Sequence, residues 1–191
     1  MSIYYVLVAK RNDMILVDYT EYSGNFQQIT IDLMKRIEPE TKKTFELSDY
    51  LFHYINEEGL TVLCMTAKET SKKLAFSFLA DVRKRLYDFY SPHELQNAKA
   101  FGLKTFGSEL KEKVHYYNKN PIISSDKSDE LLKDLNGLKD VMVENLDKLL
   151  QRDGKIEIIA SKAEQLSTSS NTYRKNVIHI NSHGIRPARL G

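Results

Sequence analysis

The first 118 residues combine two hydrophobic patterns, short strand-like runs and longer helical stretches. Runs rich in β-branched and aromatic residues between turn signals predict strands, and the runs 3–9 and 14–19 predict a hairpin. Three longer stretches place apolar residues three or four positions apart, which is the period of an amphipathic helix. The predicted order is strand, strand, helix, three strands and two helices, which indicates an α+β fold with one five-stranded antiparallel sheet covered by helices. The predicted strands are 3–9, 14–19, 44–47, 50–55 and 60–65.

Each predicted helix has one apolar face. Residues 23–25 favour an N-terminal cap for the first helix, and Pro39 is expected to end it. The second helix is predicted over about residues 70–90, with Pro92 as its stop signal. The apolar faces consist of Phe26, Ile29, Leu33 and Ile37 in the first helix, Leu74, Phe78, Val82, Leu86 and Phe89 in the second, and Leu103, Phe106, Leu110, Val114 and Tyr117 in the third.

From Ser128 onward the apolar positions follow a period of 3.5 residues, in steps of alternately three and four. This period persists for more than seven heptads and predicts a left-handed coiled coil. The alternative is one long amphipathic helix docked on its own domain; length argues against it, because about 53 helical residues extend roughly 80 Å. The ladder is Ser128, Leu131, Leu135, Leu138, Met142, Asn145, Leu149, Arg152, Ile156, Ile159, Ala163, Leu166, Ser170, Tyr173, Val177 and Ile180.

Arg152 interrupts this apolar ladder at its centre. An unpaired guanidinium costs several kcal/mol to bury, so facing carboxylates or amide oxygens must accept its hydrogen bonds. No acid of this chain lies at the matching position of the seam, and the acceptors are therefore expected from other chains. Such a polar layer sets the register of a coiled coil. The alternative is that Arg152 snorkels at an exposed edge of the seam.

Aromatic content, rather than charge, marks a domain boundary. Of the 19 aromatic residues, 18 lie at or before Tyr117, so the first part is expected to hold a core of its own. The later part is expected to be largely disordered alone and to fold on assembly. The 28 basic and 26 acidic residues nearly balance, which gives no indication of nucleic-acid binding. The predicted segments are a globular domain (1–118), a linker (119–125), the heptad segment (126–180) and a tail (181–191).

The sequence shows no pattern typical of a catalytic or cofactor site. His53 lies within a predicted strand and has no companion ligand at metal-binding spacing, which favours a structural role. Cys64 lies in an apolar strand and is expected to be a buried, inert thiol in a reducing compartment. A nucleophile–base pair and a phosphate-binding loop are also lacking. We therefore expect no enzymatic activity, no metal and no cofactor.

Two parts of the chain resemble one protein family. Residues 145–156 and 161–166 resemble the SNARE motif of the synaptobrevin, or vesicle-associated membrane protein, family. The N-terminal part resembles the longin domain in the tetanus-insensitive branch of that family. Together the resemblances extend over about residues 1–180. The stretches that carry the longin resemblance are 23–26, 50–55, 63–66 and 75–79.

The resemblance implies a longin-type R-SNARE. Arg152 would form the ionic layer against three glutamines, and the other ladder residues would form the SNARE layers. The implied partners are syntaxin-like and SNAP-like Q-SNARE helices, which would complete a parallel four-helix coiled coil and drive vesicle or endosomal membrane fusion. The implied N-terminal fold is profilin-like, with helices on both faces of the sheet. The implied location is the cytoplasmic face of vesicle, endosomal, lysosomal or vacuolar membranes.

The longin domain of this family folds the SNARE motif back on itself or binds sorting adaptors. By that resemblance, a groove between the first helix and the third strand would receive apolar layer residues. Ile29, Leu33, Phe45 and Leu47 are the expected walls of this groove. Ordinary core packing is the alternative role for these four side chains.

Residues 181–191 depart from the family pattern, because they contain neither an apolar span nor a terminal cysteine for prenylation. Family members are normally anchored in the membrane at this end. The expectation is either a chain cut before its anchor or a soluble, cytosolic form. A soluble form would act as a non-fusogenic inhibitor, and a longin module that binds adaptors in sorting is the alternative function.

Overall fold

The computed structural model describes residues 2–10, 14–120, 125–133, 138, 141–147, 158 and 160–162. The chain divides into two compact units, Met1–Ser161 and Lys162–Gly191. Of the second unit the structure describes Lys162 alone.

A six-stranded sheet forms the centre of the first unit, in the order β2-β1-β6-β5-β4-β7. Its first five members pair antiparallel throughout, whereas β7 joins the edge of β4 in parallel. A second sheet consists of two short strands, β3 and β8. The strands are β1 (Ile3–Lys10), β2 (Met14–Thr20), β3 (Tyr22–Gly24), β4 (Thr41–Leu47), β5 (Tyr50–Glu57), β6 (Leu60–Ala67), β7 (Met142–Asn145) and β8 (Ala160–Lys162).

Helices cover both faces of the large sheet. Because side chains alternate along a strand, Val6 and Val8 of β1 join one apolar cluster, whereas Tyr5 and Leu7 join another. The first cluster lies under α2 and α4, and the second lies under α1. The predicted α+β fold, with five antiparallel strands and helices on both faces, is therefore confirmed. The helices are α1 (Phe26–Met34), α2 (Lys72–Phe89), α3 (Pro92–Asn97), α4 (Phe106–Lys119) and α5 (Ser125–Lys133).

The ends of two helices differ from the prediction. Helix α1 ends at Met34, well before Pro39, because the N–H groups of Arg36 and Ile37 bond three residues back, to Leu33 and Met34. Asn25 occupies the N-cap position but makes no side-chain capping bond. Leu103 precedes α4, since its N–H bonds to the carbonyl of Leu16 in β2 at 3.2 Å.

Helix α3 was not predicted, although its start signal is local. Ser91 and Glu94 form a capping box, and Pro92 occupies the first turn of the helix. Pro92 therefore begins a helix as well as following the end of α2. Phe89, predicted to lie on the apolar face of α2, is 43% exposed at the edge of that face, where its ring contacts Phe106.

Among the residues that the structure describes, no helix is both long and apolar enough to cross a membrane.

Candidate functional site

The heptad segment begins by folding onto the N-terminal domain. Helix α5 packs against α2, and β7 adds to the edge of β4. We call Ser125–Lys133 together with residues 141–147 the docked segment. The expectation of a segment without structure of its own is wrong for this part of the chain. Docking is compatible with the size of the domain, because this segment docks as a short helix and a short strand rather than as one long continuous helix.

Polar contacts hold α5 on α2. The hydroxyl oxygens of Ser77 and Ser128 are 2.6 Å apart, with Ser77 0% and Ser128 3% exposed. At the rim of this contact, the Lys73 ammonium lies 2.7 Å from the Asp129 carboxylate. Leu132 of α5 is buried in the apolar cluster under α2 and α4. The first ladder residues, Ser128 and Leu131, thus contact the N-terminal domain of the same chain.

Backbone hydrogen bonds hold β7 on β4. The two strands run parallel with Lys43 opposite Met142 and Glu46 opposite Asn145. The pairing continues past the strand, because the Leu146 N–H donates to the Glu46 carbonyl at 2.8 Å. An edge strand presents unpaired backbone groups, and an added strand satisfies them.

Leu146 is the apolar anchor of this strand. Its side chain is 0% exposed and lies in the cluster under α1. Val141, just before β7, lies instead in the cluster under α2 and α4. The docked segment therefore crosses from one face of the sheet to the other at the β4 edge. Burying a leucine side chain stabilises this arrangement by roughly 1.5–3 kcal/mol before ordering costs.

Charged groups add specificity at both ends of β7. Lys43 lies 3.1 Å from the Glu38 carboxylate and 3.3 Å from that of Glu144. Burial lowers the pKa of Lys43, but hydrogen bonds to the two carboxylates outweigh burial and raise the pKa above its ordinary value. Beyond the strand, the Ser48 N–H donates to Asp147 Oδ1 at 2.8 Å. Because these carboxylates are partly exposed, each pair contributes little to stability but favours one register.

The four expected groove residues lie close to this anchor. Ile29, Leu33, Phe45 and Leu47 are all buried and belong to the same cluster as Leu146. Ile158, partly buried, packs against that cluster as well. The apolar residue that the docked segment contributes here is Leu146, which is not part of the ladder. Its burial could not be read from the heptad pattern.

The described ladder residues divide between buried and exposed positions. Ser128 is buried, Leu131 and Leu138 pack partly buried against the cluster under α2 and α4, and Asn145 is exposed. Met142, with 68% of its surface exposed, faces solvent. The remaining predicted layer positions lie outside the described residues: Leu135, Leu149, Arg152, Ile156, Ile159, Ala163, Leu166, Ser170, Tyr173, Val177 and Ile180.

His53 and Cys64 occupy structural positions. The ring nitrogens of His53 lie 2.9 Å from Thr44 Oγ1 and 3.1 Å from Thr66 Oγ1. Burial, with a smaller contribution from Lys72, lowers the pKa of His53 to about 3, so the ring is neutral near pH 7. Burial also raises the pKa of the Cys64 thiol, which keeps it protonated and inert. Among the described residues, no three His, Cys, Asp or Glu side chains are grouped to hold a metal ion.

Comparison with known proteins explains this pairing of a helix-covered sheet with a heptad segment. The family model of the longin, or regulated-SNARE-like, domain matches residues 16–110, and that of synaptobrevin matches residues 127–184. Mouse (Mus musculus) vesicle-associated membrane protein 7 is 33% identical over 176 residues, which is 91% of this chain and 78% of that protein. The chain belongs to the longin-type R-SNAREs.

Relatives of this R-SNARE occur in animals and plants. Human (Homo sapiens) vesicle-associated membrane protein 7 is 31% identical over 91% of this chain and 78% of its own length. Vesicle-associated membrane protein 712 of Arabidopsis thaliana is 28% identical over 95% of this chain and 83% of its own length. The chain is therefore an R-SNARE of vesicle traffic, and its family consists of SNARE proteins rather than enzymes.

Proposed function

We propose that this R-SNARE assembles with three Q-SNARE helices, syntaxin-like and SNAP-like, into a parallel four-helix bundle that drives fusion of vesicles with endosomal or lysosomal membranes. In this proposal Arg152 supplies the ionic layer, and the longin domain regulates assembly by retaining the start of the SNARE motif. Sorting adaptors would bind the longin domain where the docked segment leaves it free. The observation that carries the proposal is the parallel addition of β7 to β4.

The docked form and the bundle are mutually exclusive in this proposal. Residues 142–145 are a strand on β4, whereas the ladder requires them in an α-helix. Ser128 likewise cannot contact both Ser77 and a Q-SNARE helix at the seam. Assembly therefore has to release α5 and β7 before the seam can close from this end. The rate of assembly is then proportional to the fraction of molecules in which the segment is released, so docking lowers this rate.

Mixing the full chain with three purified Q-SNARE helices tests the proposal. We expect a gain in helical circular dichroism and an SDS-resistant complex, because the apolar ladder buries its seam only in the bundle. Amide exchange should rise at Ser48, which loses the Asp147 acceptor when the segment leaves. No gain in helicity on mixing would contradict the proposal.

Leu146→Ala tests the regulatory part. The substitution removes the buried anchor but no residue of the seam, and we expect assembly at least several-fold faster than in the original chain. Val143→Ala is the matched control, since Val143 lies in the adjoining strand β7, is 42% exposed and is also outside the ladder. Equal assembly rates for both variants, measured by the rise in circular dichroism, would remove the regulatory role of docking.

A further inference from the structure

The contact between α5 and α2 contains a buried pair of hydroxyl groups. Ser77 donates its only hydroxyl proton to the Lys73 carbonyl at 2.8 Å. The 2.6 Å contact between the two hydroxyls therefore has Ser128 as donor and Ser77 as acceptor. A hydroxyl in this position is satisfied only when α5 is docked or when water replaces Ser77.

Little at this contact favours a larger, anionic group. The oxygen–oxygen distance of 2.6 Å leaves no space for a phosphate between the helices. Asp81, one turn further along α2, is an anion that already pairs with Lys113 at 2.8 Å. Lys73, one turn before Ser77 in α2, has its ammonium at the exposed rim, where it is engaged by Asp129. Ser77 offers no free proton.

The sequence around Ser128 is acidic on its C-terminal side. Asp129 and Glu130 follow it directly and are both exposed. Serine followed by carboxylates is the substrate pattern of acid-directed serine/threonine kinases. When α5 is docked the hydroxyl itself is buried, so a kinase can reach it only after α5 has left α2.

We propose that Ser128 is a phosphorylation site for an acid-directed kinase, and that the phosphate keeps the SNARE motif off the longin domain. The γ-phosphorus of ATP forms a bond to Ser128 Oγ, and its bond to the β–γ bridging oxygen breaks. The hydroxyl proton passes to the catalytic carboxylate of the kinase, and ADP leaves. The added charge of about −1.5 to −2 and the three acceptor oxygens then prevent return to the slot beside Ser77.

Position in α5 favours this outcome over simple unfolding of the helix. Ser128 lies in the first turn of a helix that begins at Ser125, and negative charge near a helix N-terminus is stabilising. The phosphate thus disfavours docking but not the helix that the bundle needs. The inference rests on the proposed function, since it assumes that docking restrains the motif.

The test uses the full chain, a purified acid-directed kinase and MgATP, with phosphate located by mass spectrometry. We expect slow modification of Ser128 in the original chain and at least tenfold faster modification in Leu132→Ala, which removes a buried side chain that holds α5 down. Ser128→Ala should lose this phosphate. Amide exchange over residues 125–133 should be fast after phosphorylation and slow before it.

Ser128→Glu should reproduce the faster exchange, whereas Ser108→Glu, an exposed serine of α4 that also precedes an acid, should not. If α5 exchanges fast in Leu132→Ala but Ser128 still receives no phosphate, Ser128 is accessible and is not a substrate. This result would overturn the phosphorylation site but would not contradict the docking of α5. Slow exchange of α5 in the phosphorylated chain would overturn the blocking role. Fast exchange of α5 in the unmodified original chain would instead overturn the docking on which the proposed function rests.

Discussion

His53 is an ionisable residue at a fully buried position, and two threonine hydroxyls make this possible. One ring nitrogen can donate to a hydroxyl and the other can accept from one, so the neutral ring is satisfied. Protonation would leave a charge in the core beside Phe76 without a described carboxylate in contact. The residue therefore links the pH of the solution to the stability of the sheet.

Stability should fall with pH below about 6.5 because of His53. Its folded pKa of about 3 is below the ordinary value of 6.5, so the unfolded chain binds the proton first as pH falls. The contribution of the neutral His53 ring to the free energy of unfolding is fully present above pH 6.5 and is lost as the pH falls towards 3. Between pH 7.5 and pH 5 this loss amounts to about 2 kcal/mol. Urea unfolding at these two pH values measures the fall in the free energy of unfolding. This fall should be about 2 kcal/mol smaller in His53→Gln than in the original chain. His93→Gln, at an exposed histidine, should behave like the original chain; identical drops in all three would contradict the assignment.

Arg152→Leu should preserve helix assembly with Q-SNARE partners but impair register. Leucine fits an apolar seam, whereas the glutamines expected to face Arg152 would lose their donor. Crosslinking between defined positions of the bundle measures register, and circular dichroism measures assembly. The matched control is Lys175→Leu, because it removes one positive charge from the side of the ladder opposite the seam. Unchanged register in Arg152→Leu would argue against a special role for this arginine.

At the scale of elements, β4 behaves as a receptor for a strand. It pairs with β5 on one side, and its other side accepts β7 in parallel. The docked strand places Glu144 opposite Phe45, Leu146 two positions later and Asp147 directly after it. The β4 edge therefore favours a strand with an acid, an apolar residue and a second acid at these positions. For a competing peptide, the apolar residue would contribute most of the binding energy, and the two acids would favour this register.

Glu144→Gln should weaken docking of β7 modestly and leave α5 in place. The Lys43–Glu144 pair is partly exposed, so its loss is expected to be worth up to about 1 kcal/mol, or about fivefold in local opening. Amide exchange at Leu146 measures this opening, and 0.5 M NaCl should reduce the difference between variants. Glu130→Gln, at an exposed acid of α5, is the control and should leave Leu146 unaffected. A loss of protection in α5 as large as that in β7 would show that the two elements undock together.

At the scale of the whole molecule, the proposed function gives one segment two alternative structures. Docked, residues 142–145 take a strand from the edge of the sheet; in the proposed bundle they belong to a helix. Docked, the segment pairs on one side with β4 and buries Leu146, whereas in the proposed bundle it would be helical and would bury the ladder residues. Under the proposed function, the balance between the two would depend on whether Q-SNARE helices are available.

The sequence by itself predicted the five antiparallel strands, the amphipathic helices and the 3.5-residue ladder, because each rests on the spacing of nearby residues. The placement of helices on both faces of the sheet was implied by the family resemblance, and the structure confirms it. The helix ends were less predictable, since Ile37 and Leu103 continue an apolar period although their N–H groups bond outside a regular helix. Four residues of the predicted groove were identified by resemblance, and their common cluster with Leu146 came from the structure.

What only the tertiary structure decided is the conformation of residues 142–147. Their heptad spacing favours a helix, but the open edge of β4 offers hydrogen bonds and the cluster under α1 offers a site for Leu146. Those partners lie about 100 positions earlier in the chain. No local pattern can encode a choice that depends on so distant a surface, and for this reason the strand appears only when the whole fold is present.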